Sequence, residues 1–220
     1  MDFAIYDMDR TVTRHATYTP FLLHCALRRA PWRLLLLPLV IASMLTYVLK
    51  LIDRGRLKEI NHRLLLGHRR HPKELKPLVD SFAERTVASN VRPGARQAIE
   101  RDKAEGRRVV MATASYRLYA EAIAARLGFD DVIGTGSIIG LDERVHAKID
   151  GENCYGPAKL RMVEDWLAKS GFERDHVRFY SDHASDAPVF DWADEPVAVN
   201  PHARLARLAI SRGWAVEDWG

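Results

Sequence analysis

A short apolar run, Phe3-Ala4-Ile5-Tyr6, closes on Asp7-Met8-Asp9-Arg10-Thr11. The run reads as a buried strand. Two carboxylates two residues apart at its end lie on one side of the chain wherever the extended geometry persists. Adjacent anions repel and are costly to hold unless a cation sits between them. The cation that suits carboxylate oxygens, and keeps substrate phosphate and water as its other ligands, is magnesium. Such a site serves phosphoryl transfer, one Asp as nucleophile and the other as acid/base. A strand followed by an acidic turn is the plainer reading, and D-x-D alone does not separate the two.

Further along, Arg107-Arg108-Val109-Val110-Met111-Ala112-Thr113-Ala114-Ser115 reads as a second buried strand ending in hydroxyl residues. A helix is expected from Tyr116 to Leu127, with Gly128 as its C-cap. Such a strand-to-helix turn offers backbone N–H groups and hydroxyls to an anion. Gly156-Pro157-Ala158-Lys159 opens an amphipathic helix with Leu160, Val163, Trp166 and Leu167 on its apolar face. Lys159, in the first turn, can reach back to a phosphate oxygen. Val177-Arg178-Phe179-Tyr180 reads as another strand, followed by Ser181-Asp182-His183-Ala184-Ser185-Asp186 with two more carboxylates, and Pro196 to Pro201 as one more short strand. Alternating strands and helices imply an α/β fold, a Rossmann-like and mostly parallel sheet with helices on both faces. Ligands of such sheets bind outside the carboxyl ends of the strands, where all these polar residues fall.

These four stations, in this order, resemble the haloacid dehalogenase superfamily, nearest to its phosphoserine-phosphatase-like branch, subclass IB. The resemblance covers the whole chain. It implies a magnesium-dependent phosphomonoester hydrolase working through an aspartyl-phosphate. Residue by residue, it makes Asp7 the nucleophile and Asp9 the general acid/base. The phosphate-binding hydroxyl maps best onto Thr113, beside Ala114, and less well onto Ser115; Lys159 is the third-motif lysine. Magnesium would be held by Asp7, the backbone carbonyl of Asp9, and Asp182, with Asp186 behind them. The residue types suit the chemistry. A carboxylate is already ionised at pH 7, so Asp7 needs no base to become a nucleophile. Attack on an anionic phosphate needs positive groups on the phosphoryl oxygens.

Residues 1–13 and 91–220 would form the catalytic core, leaving residues 14–90 as a separate helical cap inserted after the first strand. That segment is too long for a loop and rich in Leu and Ala. Within it, Leu34 to Leu49 carries no charge, while Arg28, Arg29 and Arg33 precede it and Lys50, Arg54, Arg56 and Lys58 follow. The run is slightly short for a spanning helix. Asp7 before it and Lys159 after it must share one site, which excludes an odd number of crossings. Two readings stay open for 34–49: cap core or dimer interface, and a peripheral membrane contact with the flanking bases on anionic headgroups. The expected location is the cytoplasm, or the inner face of the membrane.

The resemblance implies that enzymes acting on phosphoserine hold its ammonium with an acidic residue shortly after the first motif; Thr13 to Tyr18 offers none, so a small anionic or a lipid-linked phosphate ester suits Arg14 and the basic cap better. The basic Gly67-His68-Arg69-Arg70-His71-Pro72-Lys73 stretch reads as a solvated loop between helices, or as a grip on a phosphate-rich partner. A formal net charge of +4 across 220 residues, with no nucleic-acid-binding motif, gives no reason to expect a nucleic-acid partner. Two cysteines without C-x-x-C spacing indicate neither zinc nor a disulfide framework. The competing class is a non-catalytic module of the same fold that binds a membrane or a protein; it has no need for Asp7, Asp9, Thr113, Lys159 and Asp182 together.

Overall fold

The computed structural model describes all 220 residues. Eight strands form a single sheet in the order β2-β5-β4-β3-β1-β6-β7-β8. They are β1 (Asp2–Tyr6), β2 (Arg69–Arg70), β3 (Arg108–Tyr116), β4 (Asp131–Ile139), β5 (Val145–Asp150), β6 (His176–Ser181), β7 (Glu195–Val199) and β8 (Ala215–Glu217). The six strands from β4 to β8 across the middle run parallel. β5 and β2 add antiparallel at one edge. The helices are α1 (Tyr18–Arg29), α2 (Leu37–Val48), α3 (Arg54–Leu65), α4 (Pro72–Ser89), α5 (Pro93–Ala104), α6 (Arg117–Leu127), α7 (Pro157–Ser170), α8 (Ala187–Trp192) and α9 (Ala203–Arg212).

β1 shows why the central strands lack polar alternation. Phe3 and Ile5 point to one face, where they pack with Val177 and Phe179 of β6, Val163 of α7 and Leu205 of α9. Ala4 and Tyr6 point to the other, against Ala95, Ala98 and Ile99 of α5. Both sets are buried because both faces of a parallel sheet are covered by crossover helices. β1 is also where the strand order reverses: the chain fills β3 and β4 on one side, then returns to β6, β7 and β8 on the other. A crevice at the carboxyl ends of β1, β3 and β6 follows from that switch.

Four helices, α1 to α4, leave the sheet after β1 and return before β3. Their two connections run side by side. Thr13 pairs with Val91. Arg14 N–H donates to the Asn90 carbonyl at 2.7 Å, and Arg92 N–H to the Val12 carbonyl at 3.0 Å. The apolar contacts of this insert run on into α6. Phe21 of α1 and Phe82 of α4 pack on Tyr119 of α6, with ring centroids 4.4 and 5.6 Å apart.

One feature differs from the sequence reading. Arg69 and Arg70 are not a loop; they form edge strand β2, paired with His146 and Val145 of β5. Within the apolar run the helical stretch Pro31–Val48 changes type. A 3₁₀ segment, Pro31–Leu36, precedes α2, which restarts with Pro38 in its first turn, where a missing N–H costs nothing.

Candidate active site

The loop after β1 is shaped by its backbone. Arg10 adopts the left-handed conformation, φ 67° and ψ −5°, which non-glycine residues seldom occupy. Thr13 closes the turn, its N–H donating to the Met8 carbonyl at 2.9 Å and its hydroxyl to the same oxygen at 3.0 Å. This loop brings Asp7 and Asp9 to the carboxyl end of the sheet. β6 delivers Asp182 beside them, and the first turn of α7 delivers Lys159.

Lys159 is the hub. Its ammonium, almost fully buried, donates to Asp7 Oδ1 at 2.7 Å and to Asp186 Oδ2 at 2.6 Å. Burial alone would lower its pKa, but the two carboxylates more than offset this and hold it above the usual lysine range. Thr11 links Asp7 to Asp182, its hydroxyl lying 3.3 Å from both Asp7 Oδ2 and Asp182 Oδ1. The Asp182 N–H donates back to Thr11 Oγ1 at 3.0 Å. Ser181 donates to Asp186 Oδ2 at 2.7 Å, and Asp182 Oδ2 faces His202 Nε2 at 3.2 Å.

Two buried carboxylates, Asp7 and Asp186, thus flank one buried ammonium, and a third, Asp182, is joined to Asp7 through Thr11. Burial raises the carboxyl of Asp7 well above the ordinary aspartate range, counter to the ready ionisation expected from the sequence; Lys159 opposes this, while Asp186 and Asp182 add to it. Asp182 is likewise raised by burial, against the pull of His202 and His183. Asp186 Oδ1 is buried with no hydrogen-bond partner. The surplus of negative charge and this orphaned oxygen fit a hard cation. The acids do not form a ready-made cage of three ligands. Magnesium does not require one, since it commonly takes one or two carboxylates and completes its shell with phosphate and water.

Asp9 points elsewhere. Its Oδ1 accepts from the Thr17 N–H and the Thr17 hydroxyl, both at 2.7 Å, and its Oδ2 accepts from Ser115 Oγ at 2.6 Å. Tyr119 secures the arrangement by donating to Ser115 Oγ at 2.6 Å. At the end of β3, Ala114 and Ser115 line the cavity, whereas Thr113 is fully buried and its hydroxyl accepts the Ser115 N–H at 3.0 Å. The structure therefore gathers Asp7, Asp9, Ala114, Lys159, Asp182 and Asp186 around one cavity of about 430 Å³, and sets Thr113 in its wall behind them.

The far side of the cavity comes from the helical insert. Lys58 of α3 reaches across to the Ala114 carbonyl and to Asn153 Oδ1. Burial, then the neighbouring Arg54, lowers its pKa to about 7. The Arg54 guanidinium lies 4.2 Å from the centre of the Tyr155 ring, and both residues line the cavity. In sequence, Lys58 is only one base of a cluster. What would have marked it is its place on the buried side of α3, four residues before His62, which is also buried.

A family model described as haloacid dehalogenase-like hydrolase matches residues 4–191. An inhibition of morphological differentiation protein from Streptomyces azureus is 33% identical over 121 residues, which are 55% of this chain and 43% of that protein. A phosphoserine phosphatase from Mycobacterium tuberculosis is 30% identical over 146 residues, 66% of this chain and 47% of that protein. The chain therefore spans about half the length of these relatives. Among solved structures, a protein of unknown function from Bordetella pertussis Tohama I superposes with a TM-score of 0.89 at 24% identity, covering 100% of this chain and 99% of that one.

Proposed function

Because this chain belongs to the haloacid dehalogenase-like hydrolase family, we propose that it is a magnesium-dependent phosphomonoesterase working through an aspartyl-phosphate on Asp7. The observation that carries this reading is the Lys159 bridge between Asp7 and Asp186, set among surplus carboxylates at the floor of a cavity. Asp7 attacks phosphorus, the bond from phosphorus to the ester oxygen breaks, and the departing alkoxide takes a proton from Asp9. Water then attacks the aspartyl-phosphate, giving a proton to Asp9 and releasing phosphate and free Asp7. Lys159 and the turn at Ala114 and Ser115 would hold phosphoryl oxygens. Magnesium, held by Asp7, Asp182 and the Asp9 carbonyl, would neutralise charge on the transferring group. Asp9 must first release its bond to Thr17 or Ser115, a rearrangement that substrate entering the cavity would bring about.

On this reading residues 14–90 act as the cap, with residues 1–13 and 91–220 as the catalytic core. The cap contributes cations and aromatic rings to the cavity, through Arg54, Lys58, Tyr18 and Tyr47, and no carboxylate. A substrate whose alcohol part carries negative charge or apolar bulk fits this wall; one carrying an ammonium does not. The test is phosphate release from phosphoserine, histidinol phosphate, an aryl phosphate and a lipid phosphate in micelles. Turnover is expected to stop on chelation, to return with added magnesium, and to vanish in Asp7→Asn. A folded protein inert on all four substrates would favour the binding-module reading instead.

A further inference from the structure

The outer face of α2 is apolar and uncovered. Ile41, Leu45 and Val48, spaced to share one helix face, are 66%, 57% and 71% exposed, and Leu35 just before the helix is 81% exposed. Inward, Val40 and Ser43 settle on α3, with Ser43 Oγ donating to Asn61 Oδ1 at 2.8 Å. The apolar surface is framed by bases. In the chain Arg28 and Arg29 precede it and Lys50 and Arg56 follow, all exposed, and Trp32 between the first pair and the helix is 59% exposed. From Leu27 to Lys58 the single acid is Asp53. Its carboxylate is already occupied by the Arg56 N–H, at 2.7 Å, at the start of α3. Arg29 and Arg56 pair with Glu74 and Glu59, while Arg28 and Lys50 enter no ion pair.

We propose that α2 is a docking element for an anionic lipid bilayer, lying in the plane of the surface with its apolar face in the headgroup region and its flanking bases on lipid phosphates. An exposed apolar stripe bracketed by cations is what such a surface complements. The helical stretch Pro31–Val48 is long and apolar enough to span, but Asp7 before it and Lys159 after it meet in one site, so it lies on the bilayer and does not cross it. A second copy of the chain complements this face less well. Pairing two α2 helices in either direction sets one basic end against another, because both ends are basic. Met44 and Tyr47, on the inner edge of α2, line the mouth of the active-site cavity. Docking therefore places that mouth at headgroup level. The inference concerns docking alone and holds whatever the site hydrolyses.

The experiment is flotation with vesicles of phosphatidylcholine alone or mixed with phosphatidylglycerol, using wild type, Asp7→Asn and the double variant Ile41→Glu/Val48→Glu. Wild type and Asp7→Asn are expected to float with the anionic vesicles, less so at high salt, and to ignore the neutral ones. The double variant is expected to lose at least about tenfold in binding while keeping its thermal midpoint and its rate on a soluble aryl phosphate. Because binding is read without turnover, failure of docking and failure of the hydrolase reading are distinguishable. No association with anionic vesicles, or equal binding by the double variant, would overturn the proposal. So would a wild-type dimer that binds no vesicle and that the double variant splits in sedimentation.

Discussion

Lys159 decides how the acids of the site are held. Replacing it with Met leaves Asp7 and Asp186 buried without their shared cation. The expected cost is about 3–5 kcal/mol at pH 7, the usual penalty for breaking a buried pair from one side. Adding Asp186→Asn should recover part of it, since one uncompensated charge is gone. Urea midpoints of the single and double variants check this; additive losses would contradict it. His62 is buried on α3 with neither ring nitrogen hydrogen-bonded. Burial lowers its pKa to about 4. The unfolded chain therefore takes up a proton below about 6.5 that the folded one refuses until about 4. Stability contributed by neutral His62 is fully present above that window and falls through it by roughly 1.4 kcal/mol per pH unit as pH drops. His62→Phe, which keeps a ring against Tyr116, should flatten this acid limb in pH-resolved denaturation; an unchanged slope would count against it. Asp7, Lys159 and Asp182 were legible in sequence because each sits beside a strand end or a helix start. Lys58 was not, because only the folded insert lays α3 over the end of β3.

Among the elements, β1, β3, β6 and β7 were readable because apolar residues on both faces leave an unbroken run. The β4–β5 hairpin was not, since Gly134 and Gly136 interrupt its pattern and its charged turn hides the pairing. α5 conceals more. Asp102, an acid on an otherwise polar helix, is fully buried and accepts bonds from Tyr6 and from Arg178 of β6. That contact pins α5 to the sheet behind the site. Asp102→Ala should destabilise by about 3 kcal/mol or more, because the guanidinium and the phenol lose their acceptor. A thermal midpoint within a degree or two of wild type would contradict that role. For α2, the composition was plain and the environment was not. An uncharged run reads alike in a core and on a surface, and only the inward turn of Val40 and Ser43 separates its two faces.

At the scale of the whole molecule, the strand order turns four distant stretches of chain into one crevice. β1 at the centre places the Asp7 loop between β3 and β6, so residues 7, 114, 159 and 186 meet without any long loop. The order of the stations in sequence was enough to anticipate this, because crossover connections in a parallel sheet leave few alternatives. The size and lining of the cavity were not legible, since half of its wall comes from the insert. In the proposed reaction Asp7 carries the phosphoryl group. Rapid mixing with a turned-over phosphate ester and magnesium, an acid quench, and mass spectrometry of the digest should find phosphate on the peptide ending β1, at Asp7. Turnover with no phosphorylated Asp7, persisting in Asp7→Asn, would contradict the account.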